Sequence, residues 1–281
     1  MFRRYVHAAM MVLVAALVIT ACSPPTDRTS GSTLDGKLVL TGSSTIPPLA
    51  GEIAKRFEAR HPGVPVDVQT GGSSRGIADV RRGTADIGMV SRALTPDEAD
   101  LTAHAIAVDG ISLIVHRDNR VAELSDRQII DIFTGRITNW TQVGGADAPI
   151  TVVNKADGRA TLDLFVTHFA IDRAKIRAHV IIGDNQHGIR TVAGDPNAVG
   201  YVSIGTASFE VSRGVPIKML RMNSVEPTLA TIRSGSFPLA RPLNLVTHGA
   251  RAPLAEAFIA FASAEDVHDL VEAQFFVPLA K

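Results

Sequence analysis

The sequence predicts an α/β fold in two lobes. Short apolar strands alternate with amphipathic helices, and that alternation runs twice along the chain. The first series occupies residues 37–116 and the second starts after Asp118, with no sequence repeat between them. Residues 37–41 form a short apolar strand. Residues 47–60 have helical period, with Leu49, Ile53, Ala54 and Phe57 on one face and Glu52, Lys55, Arg56 and Glu58 on the other. Residues 64–68 alternate as a strand, 77–82 read as a helix and 86–90 as a buried strand. Pro96 at a first turn predicts a helix over 96–103, and 111–116 form another apolar strand. This β-α-β-α-β order predicts a parallel sheet with helices on both faces.

In the second series, Ser125-Asp126-Arg127-Gln128 makes a capping-box start before Ile129, Ile130, Ile132 and Phe133. Strands follow at 149–153, 180–182 and 199–202, with helices at 161–169 and 188–193 between them. A late strand at 243–246 precedes amphipathic helices at 254–261 and 264–275. Two lobes of this kind leave a cleft between them.

Ahead of the lobes, Arg3 and Arg4, the apolar run 8–19 and the small residues Thr20-Ala21 have the order of a secretory leader. That run is too short for a permanent span, which needs about 20 apolar residues. Cys22 is the only cysteine, and Ile19-Thr20-Ala21-Cys22 resembles a bacterial lipobox, in which the thiol receives lipid and becomes the new N-terminus. The alternative is a plain secretory leader with a chance cysteine. Residues 1–21 are therefore expected to be removed, and 22–36, rich in Ser, Thr, Pro, Asp and Gly, to tether the folded part to a membrane. The expected location is the cell envelope. Basic and acidic side chains balance over the whole chain, and removal of Arg3 and Arg4 leaves it slightly acidic. No basic face points to nucleic acid.

Three segments share one design, in which a strand runs into hydroxyl residues or glycine and a helix begins. They are Thr41-Gly42-Ser43-Ser44-Thr45, Thr70-Gly71-Gly72-Ser73-Ser74-Arg75-Gly76 and Asn154-Lys155-Ala156-Asp157-Gly158-Arg159-Ala160-Thr161. Free N–H groups at a helix N-terminus, with hydroxyls nearby, make an anion site. Each alone is also read as an ordinary N-cap. Together they suggest two lobes closing on one oxyanion. Asp86 either caps a local turn or points into that site, where a carboxylate helps only if the anion brings a proton to donate. Phosphate brings one and sulfate does not. The scattered histidines show no metal-ligand spacing, and no nucleophile elbow or Walker motif is present.

The chain resembles the phosphate-binding lipoproteins of bacterial high-affinity phosphate ABC transporters, in their short form. The matching segments are Gly42-Ser43-Ser44-Thr45, Gly72-Ser73-Ser74-Arg75-Gly76-Ile77 and Asp86-Ile87-Gly88-Met89, followed by Ile132-Phe133-Thr134-Gly135-Arg136-Ile137-Thr138-Asn139-Trp140. Gly194-Asp195-Pro196-Asn197-Ala198-Val199-Gly200-Tyr201-Val202 and Phe237-Pro238-Leu239-Ala240-Arg241-Pro242 complete the set in family order. The resemblance implies a type II periplasmic-binding-protein fold. Its first lobe would hold residues 37–114 with 242–281 and its second 115–241, joined by hinge strands near 111–117 and 241–247. It implies that the protein is not an enzyme, needs no cofactor, and acts as a monomer that captures inorganic phosphate and passes it to an ABC permease. The alternatives are another oxyanion, or a phosphatase or esterase.

By position, Ser44, Thr45 and Ser73 would supply first-lobe donors, Asp86 the acceptor, and Thr161 a second-lobe donor. The family's usual second-lobe arginine is Lys155 here, and its usual serine is Arg159. A point charge does not replace a planar fork. The expectation is that Arg159 contacts the anion and Lys155 plays a secondary electrostatic part; the alternative is that Arg159 is solvated and Lys155 is the sole cation.

Overall fold

The computed structural model describes residues 34–279. The leader, Cys22 and residues 23–33 of the tether lie outside the described residues. Strand β1 (Leu38–Gly42) is nearly all buried and leads to α1 (Pro47–Arg60). The buried face of α1 is Leu49, Ala50, Ile53, Ala54 and Phe57, as its period requires. β2 (Val66–Thr70), α2 (Ser73–Arg82) and β3 (Ile87–Val90) follow. β1 lies between β2 and β3, parallel to both. Gly42 has a φ of 135°, and a Cβ there would sit 2.3 Å from the Met89 carbonyl oxygen. Only glycine lets β1 and β3 approach so closely at this end.

The helix expected over 96–103 is a single 3-10 turn, Pro96–Glu98. A capping box between Thr95 and Glu98 closes it. From Leu101 onward the chain is one extended strand, β4 (Leu101–His116), far longer than the strand expected at 111–116. In the second half a two-residue strand that the sequence did not announce, β5 (Glu123–Leu124), precedes α3 (Asp126–Phe133), β6 (Thr151–Lys155), α4 (Ala160–His168) and β7 (Val180–Ile182), which alternate much as the sequence predicts. α5 (Asn185–Gly194) and β8 (Ala198–Ser203) continue the series. Four further short elements were not legible from periodicity: α6 (Ile204–Ser212), β9 (Ile217–Met219), β10 (Arg221–Met222) and α7 (Leu229–Arg233). β11 (Ala240–His248), α8 (Pro253–Ala262) and α9 (His268–Ala273) end the described chain.

The main sheet runs β2-β1-β3-β11-β4-β8-β6-β7, with β9 beside β4, and β10 pairs with β5 in a small second sheet. It is mixed rather than parallel. β11 runs antiparallel to β3 and β4, and β4 antiparallel to β8. The reason is topological: β4 carries the chain out of the first half and β11 brings it back, so the two must run in opposite directions. β4 exchanges partners between Gly110, opposite Ala240, and Ile111, opposite Ser203. The cores divide at the same place. One cluster holds Leu38 to Ala107 and returns with Leu243 to Phe276. The other runs from Ile111 to Leu239 and includes Val277. Each half has a smaller second cluster, around Ile77 and Val90 in the first and around Val153 and Ile189 in the second. This is a two-lobe arrangement, and where the halves meet lie buried Asp109 and Arg241.

Candidate functional site

The carboxyl ends of β1, β3, β6 and β8 converge on this junction, the edge where open α/β sheets carry ligands. After β1, Ser43 takes its place by donating its N–H to the Met89 carbonyl at 2.8 Å. Its hydroxyl donates to Ser91 Oγ at 2.9 Å and accepts from the Thr45 N–H at 3.1 Å. After β2, the N–H groups of Gly71 and Gly72 both donate to the Gly42 carbonyl at 2.8 Å. That tie delivers Ser73 to the first turn of α2, where its Oγ accepts from the Ser91 N–H at 3.2 Å. Ser43, Thr45, Ser73 and Ser91 are each 1–3% exposed or less.

Arg241 is the hub. Its guanidinium donates to Asp109 Oδ2 from Nε at 3.2 Å and from Nη2 at 2.9 Å. Nη2 also reaches Thr45 Oγ1 at 3.1 Å, and Nη1 reaches Thr161 Oγ1 at 3.1 Å and Ser91 Oγ at 3.3 Å. Thr161 lies in the first turn of α4, so one fork ties both lobes together. Asp109 also accepts from the Gly205 N–H at 3.2 Å, at the start of α6. Both members of the pair are at most 2% exposed. A buried pair of this kind requires such full hydrogen bonding to be tolerated.

From the second lobe, Lys155 ends β6 at 3% exposure. Its Nζ donates to Asn185 Oδ1 at 3.0 Å. The Asn185 amide in turn donates to Thr45 Oγ1 at 3.1 Å and Thr206 Oγ1 at 3.4 Å. Burial pushes the Lys155 amine down to about 7, with Asp184 opposing that shift and Arg241 and Arg159 adding to it. Arg159, the N-cap of α4, is half-buried at the edge of the cluster. Its Nε is buried without a hydrogen-bond partner. A Cβ on Gly72 would lie 3.1 Å from its Nη1.

The structure thus brings together Thr45, Ser73, Lys155 and Thr161, with Arg159 at their edge. Ser44 is half-buried beside them. Asp86 stands apart. It is exposed, and its Oδ2 accepts from the Val39 N–H at 2.8 Å. It precedes β3, whereas the cluster follows β3, so the whole strand separates them, about 13 Å at the usual rise. The acid inside the cluster is Asp109. Sequence reasoning missed Asp109, Arg241, Ser43, Ser91 and Asn185 as site residues. The available signal was a lone charge in each of two apolar runs, Ile106-Ala107-Val108-Asp109-Gly110-Ile111 and Leu239-Ala240-Arg241-Pro242-Leu243. Among the described residues no group of His, Cys, Asp or Glu is arranged to hold a metal ion, and no helix is long and apolar enough to cross a membrane.

The lobes also meet at the cleft rim. Ser74 N–H donates to the Gly158 carbonyl at 3.3 Å. Arg92, held by Glu98 through two bonds of 2.7 Å, reaches Asp163 of α4 at 3.3 Å.

The chain matches the family model of the PBP superfamily domain over residues 27–265. The phosphate-binding protein PstS of Bacillus subtilis (strain 168) is 28% identical over 285 residues, covering 96% of this chain and 93% of its own length. The PstS of Borreliella burgdorferi is 28% identical over 249 residues, covering 84% of this chain and 88% of its own. Among solved structures, a protein from Clostridium perfringens assigned as a phosphate ABC transporter substrate-binding protein, with bound phosphate, superposes with a TM-score of 0.82 at 31% identity. That likeness covers 87% of this chain and 100% of the other. An ABC-type phosphate transport receptor from Vibrio cholerae gives a TM-score of 0.71 at 29% identity, over 86% of this chain and 100% of the other.

Proposed function

The chain belongs to the PBP superfamily, and we propose that within it the protein captures inorganic phosphate outside the cytoplasm and delivers it to an ABC transporter. It binds and does not catalyse. The observation that carries this reading is the Arg241 guanidinium, balanced by Asp109 and aimed at hydroxyls of both lobes. An oxyanion entering there exchanges bonds with donors already turned toward one point, so little reorganisation is needed. Thr45, Ser73, Ser91 and Thr161 supply hydroxyls, and Arg241 and Lys155 supply positive charge. Ser44 adds a donor at the mouth. Arg159, at the edge, closes over the anion after it has entered. Lys155 outranks Arg159 here because it is the more buried and is bonded into the cluster through Asn185.

The lobes close about β4 and β11, the strands that cross between them, in a hinge motion. Cys22 carries lipid, which keeps the protein at the membrane while the folded part stays in water beside its permease.

Thermal shift against phosphate, arsenate, sulfate and molybdate tests the reading. A ligand at 100 times its Kd adds about 2.7 kcal/mol of stability. Phosphate is expected to raise the melting temperature most. No shift with phosphate at millimolar concentration would sink the proposal.

A further inference from the structure

Asp109 is held from two sides. Arg241 occupies Oδ2, and the Gly205 N–H occupies Oδ1 at 3.2 Å. That N–H is one of the free donors of the first turn of α6, where Ser203 caps the next one by accepting from the Thr206 N–H at 3.2 Å. The turn belongs to the second lobe, and what packs on it comes from the first. A Cβ on Gly205 would lie 2.4 Å from Cε1 and 2.6 Å from Cδ1 of Phe276, and 2.9 Å from the Phe275 carbonyl oxygen. The backbone of Gly205 is ordinary helix, so the missing side chain serves to make room for that ring.

The segment that carries the ring crosses between the lobes. α9 ends with the Phe275 N–H donating to the Glu272 carbonyl at 2.9 Å and the Phe276 N–H to the Val271 carbonyl at 3.1 Å, with Phe275 at a φ of 56°. This ending usually takes glycine, so a phenylalanine there is strained. Burial of the next two residues offsets the strain. Phe276, 2% exposed, lies in the first-lobe core, and Val277, 4% exposed, lies in the second. Val277 exchanges two backbone bonds, of 2.8 and 2.9 Å, with Val108, the residue before Asp109. The chain therefore passes between the lobes a third time, beside β4 and β11.

We propose that Phe276 is a positioning residue for the anion site: its ring, rooted in the first lobe, holds the first turn of α6 against Asp109 and so fixes the direction of the Arg241 fork. This rests on the phosphate reading above. With a donor on each oxygen the carboxylate plane cannot turn, and Arg241 Nε and Nη2 follow that plane. The same fork reaches Thr45 in one lobe and Thr161 in the other, so its direction decides whether the donors of both lobes meet at one point. Once the ring is withdrawn, Gly205 is free to leave Oδ1, and the anion must order the fork itself. A site that has to be ordered by its ligand binds more weakly without losing any contact to it. The Val277 bridge to Val108 constrains the strand that carries Asp109 in the same way.

The test uses the mature chain and inorganic phosphate, with calorimetry well below the melting temperature. Phe276→Leu shortens the ring, and Phe57→Leu makes the same change elsewhere in the same core, where Phe57 packs on Phe258 and Phe261 with ring centres 5.3 and 5.5 Å apart. Both should lower the melting temperature. Only Phe276→Leu should weaken phosphate, by about fivefold, while Phe57→Leu stays within about twofold of the wild type. Gly205→Ala presses on the contact from the other side and should weaken phosphate at least about tenfold, and Gly205→Ala with Phe276→Leu should recover part of that loss. Without ligand, amide exchange at Gly205 should quicken about tenfold more in Phe276→Leu than in Phe57→Leu. Should Gly205→Ala fail to fold, the matched pair of leucine variants decides. Equal phosphate affinities in the matched pair, or equal exchange at Gly205, overturn the inference and leave phosphate capture standing. Absence of phosphate binding by the wild type overturns the phosphate reading itself, and exchange at Gly205 then decides whether the ring positions Asp109.

Discussion

Asp109→Asn removes one charge from the most enclosed ion pair in the described chain while keeping the side chain's volume. In the native site the carboxylate accepts from Arg241 Nε at 3.2 Å, from Nη2 at 2.9 Å and from the Gly205 N–H at 3.2 Å. An asparagine has one oxygen to accept with, and its NH2 turns donors toward the donors of Arg241 or Gly205. The Arg241 cation is left unbalanced at 2% exposure. Breaking a buried pair from one side costs about 3–5 kcal/mol. For a domain of this size that corresponds to a melting temperature lower by roughly 6–20 °C. The assay is thermal unfolding by circular dichroism without ligand and then with rising phosphate. The variant should melt well below the wild type, and saturating phosphate should raise it by more degrees than it raises the wild type, because the dianion returns negative charge to Arg241. The double variant Asp109→Asn with Arg241→Met should recover most of the lost stability but bind no phosphate. A single variant that melts within about 2 °C of the wild type would mean that the pair is solvated in solution, and the account of the site built on it would fail.

Asp86→Asn should leave both phosphate affinity and sulfate rejection unchanged, because the residue is exposed at the wrong end of β3; loss of selectivity by calorimetry would contradict that placement. Gly72→Ala forces a side chain onto a backbone with φ of 98° and brings its Cβ within 2.7 Å of the Gly158 carbonyl across the cleft. It should weaken phosphate at least about tenfold, because the lobes cannot close to the same contact at Gly158, while the backbone strain of about 1–3 kcal/mol lowers stability with or without ligand; equal phosphate titrations for both proteins would refute the cross-cleft contact. Asp163→Asn removes the partly exposed tie to Arg92, worth about 0.2–1 kcal/mol, so stopped-flow release of phosphate should quicken by up to about fivefold and lose salt sensitivity. Lys155 is held down to about 7 from 10.5, so between those values the unfolded chain binds a proton that the ligand-free fold does not. Its effect is to make the ligand-free protein more stable as pH rises through that window, with the full cost present below about 7. Lys155→Met should flatten that rise in a pH series of thermal melts; an unchanged slope would assign the pH dependence to another group.

The strands and helices with clean period were legible because burial on one face writes itself into spacing. α1 and α8 are such cases. The failures have physical causes. Pro96 opens a 3-10 turn that looks like a helix start, but Thr95 and Glu98 close it within one turn and Arg92 occupies the carboxylate. β4 was read short because its first half mixes exposed, half-buried and buried residues without a clean alternation, while its second half is buried up to His116 and looks like a separate strand. α6, β9 and α7 are held by tertiary contacts rather than by pattern. The direction of β11 was beyond local reading, since it depends on where the chain has been before.

Asp86 and Asp109 show how the same limit acts on the site. Each stands beside an Ile and a Gly in an apolar stretch, and nothing local separates them. Strand direction does. In a parallel pair the ligand edge is the carboxyl end, so the residue after β3, Ser91, belongs to the site and the residue before it, Asp86, does not. Asp109 belongs because β4 crosses at that point, opposite Arg241 in the antiparallel register with β11. A partner 132 residues away cannot be found by spacing. The same reasoning changes the meaning of the altered second-lobe loop. Seen alone, lysine at 155 is a missing fork. Seen in the fold, the fork is present on the crossing strand as Arg241, and position 155 holds an amine in a place where burial makes its charge conditional. What looks like a weakened anion site is a site whose fixed charge and adjustable charge sit on different strands.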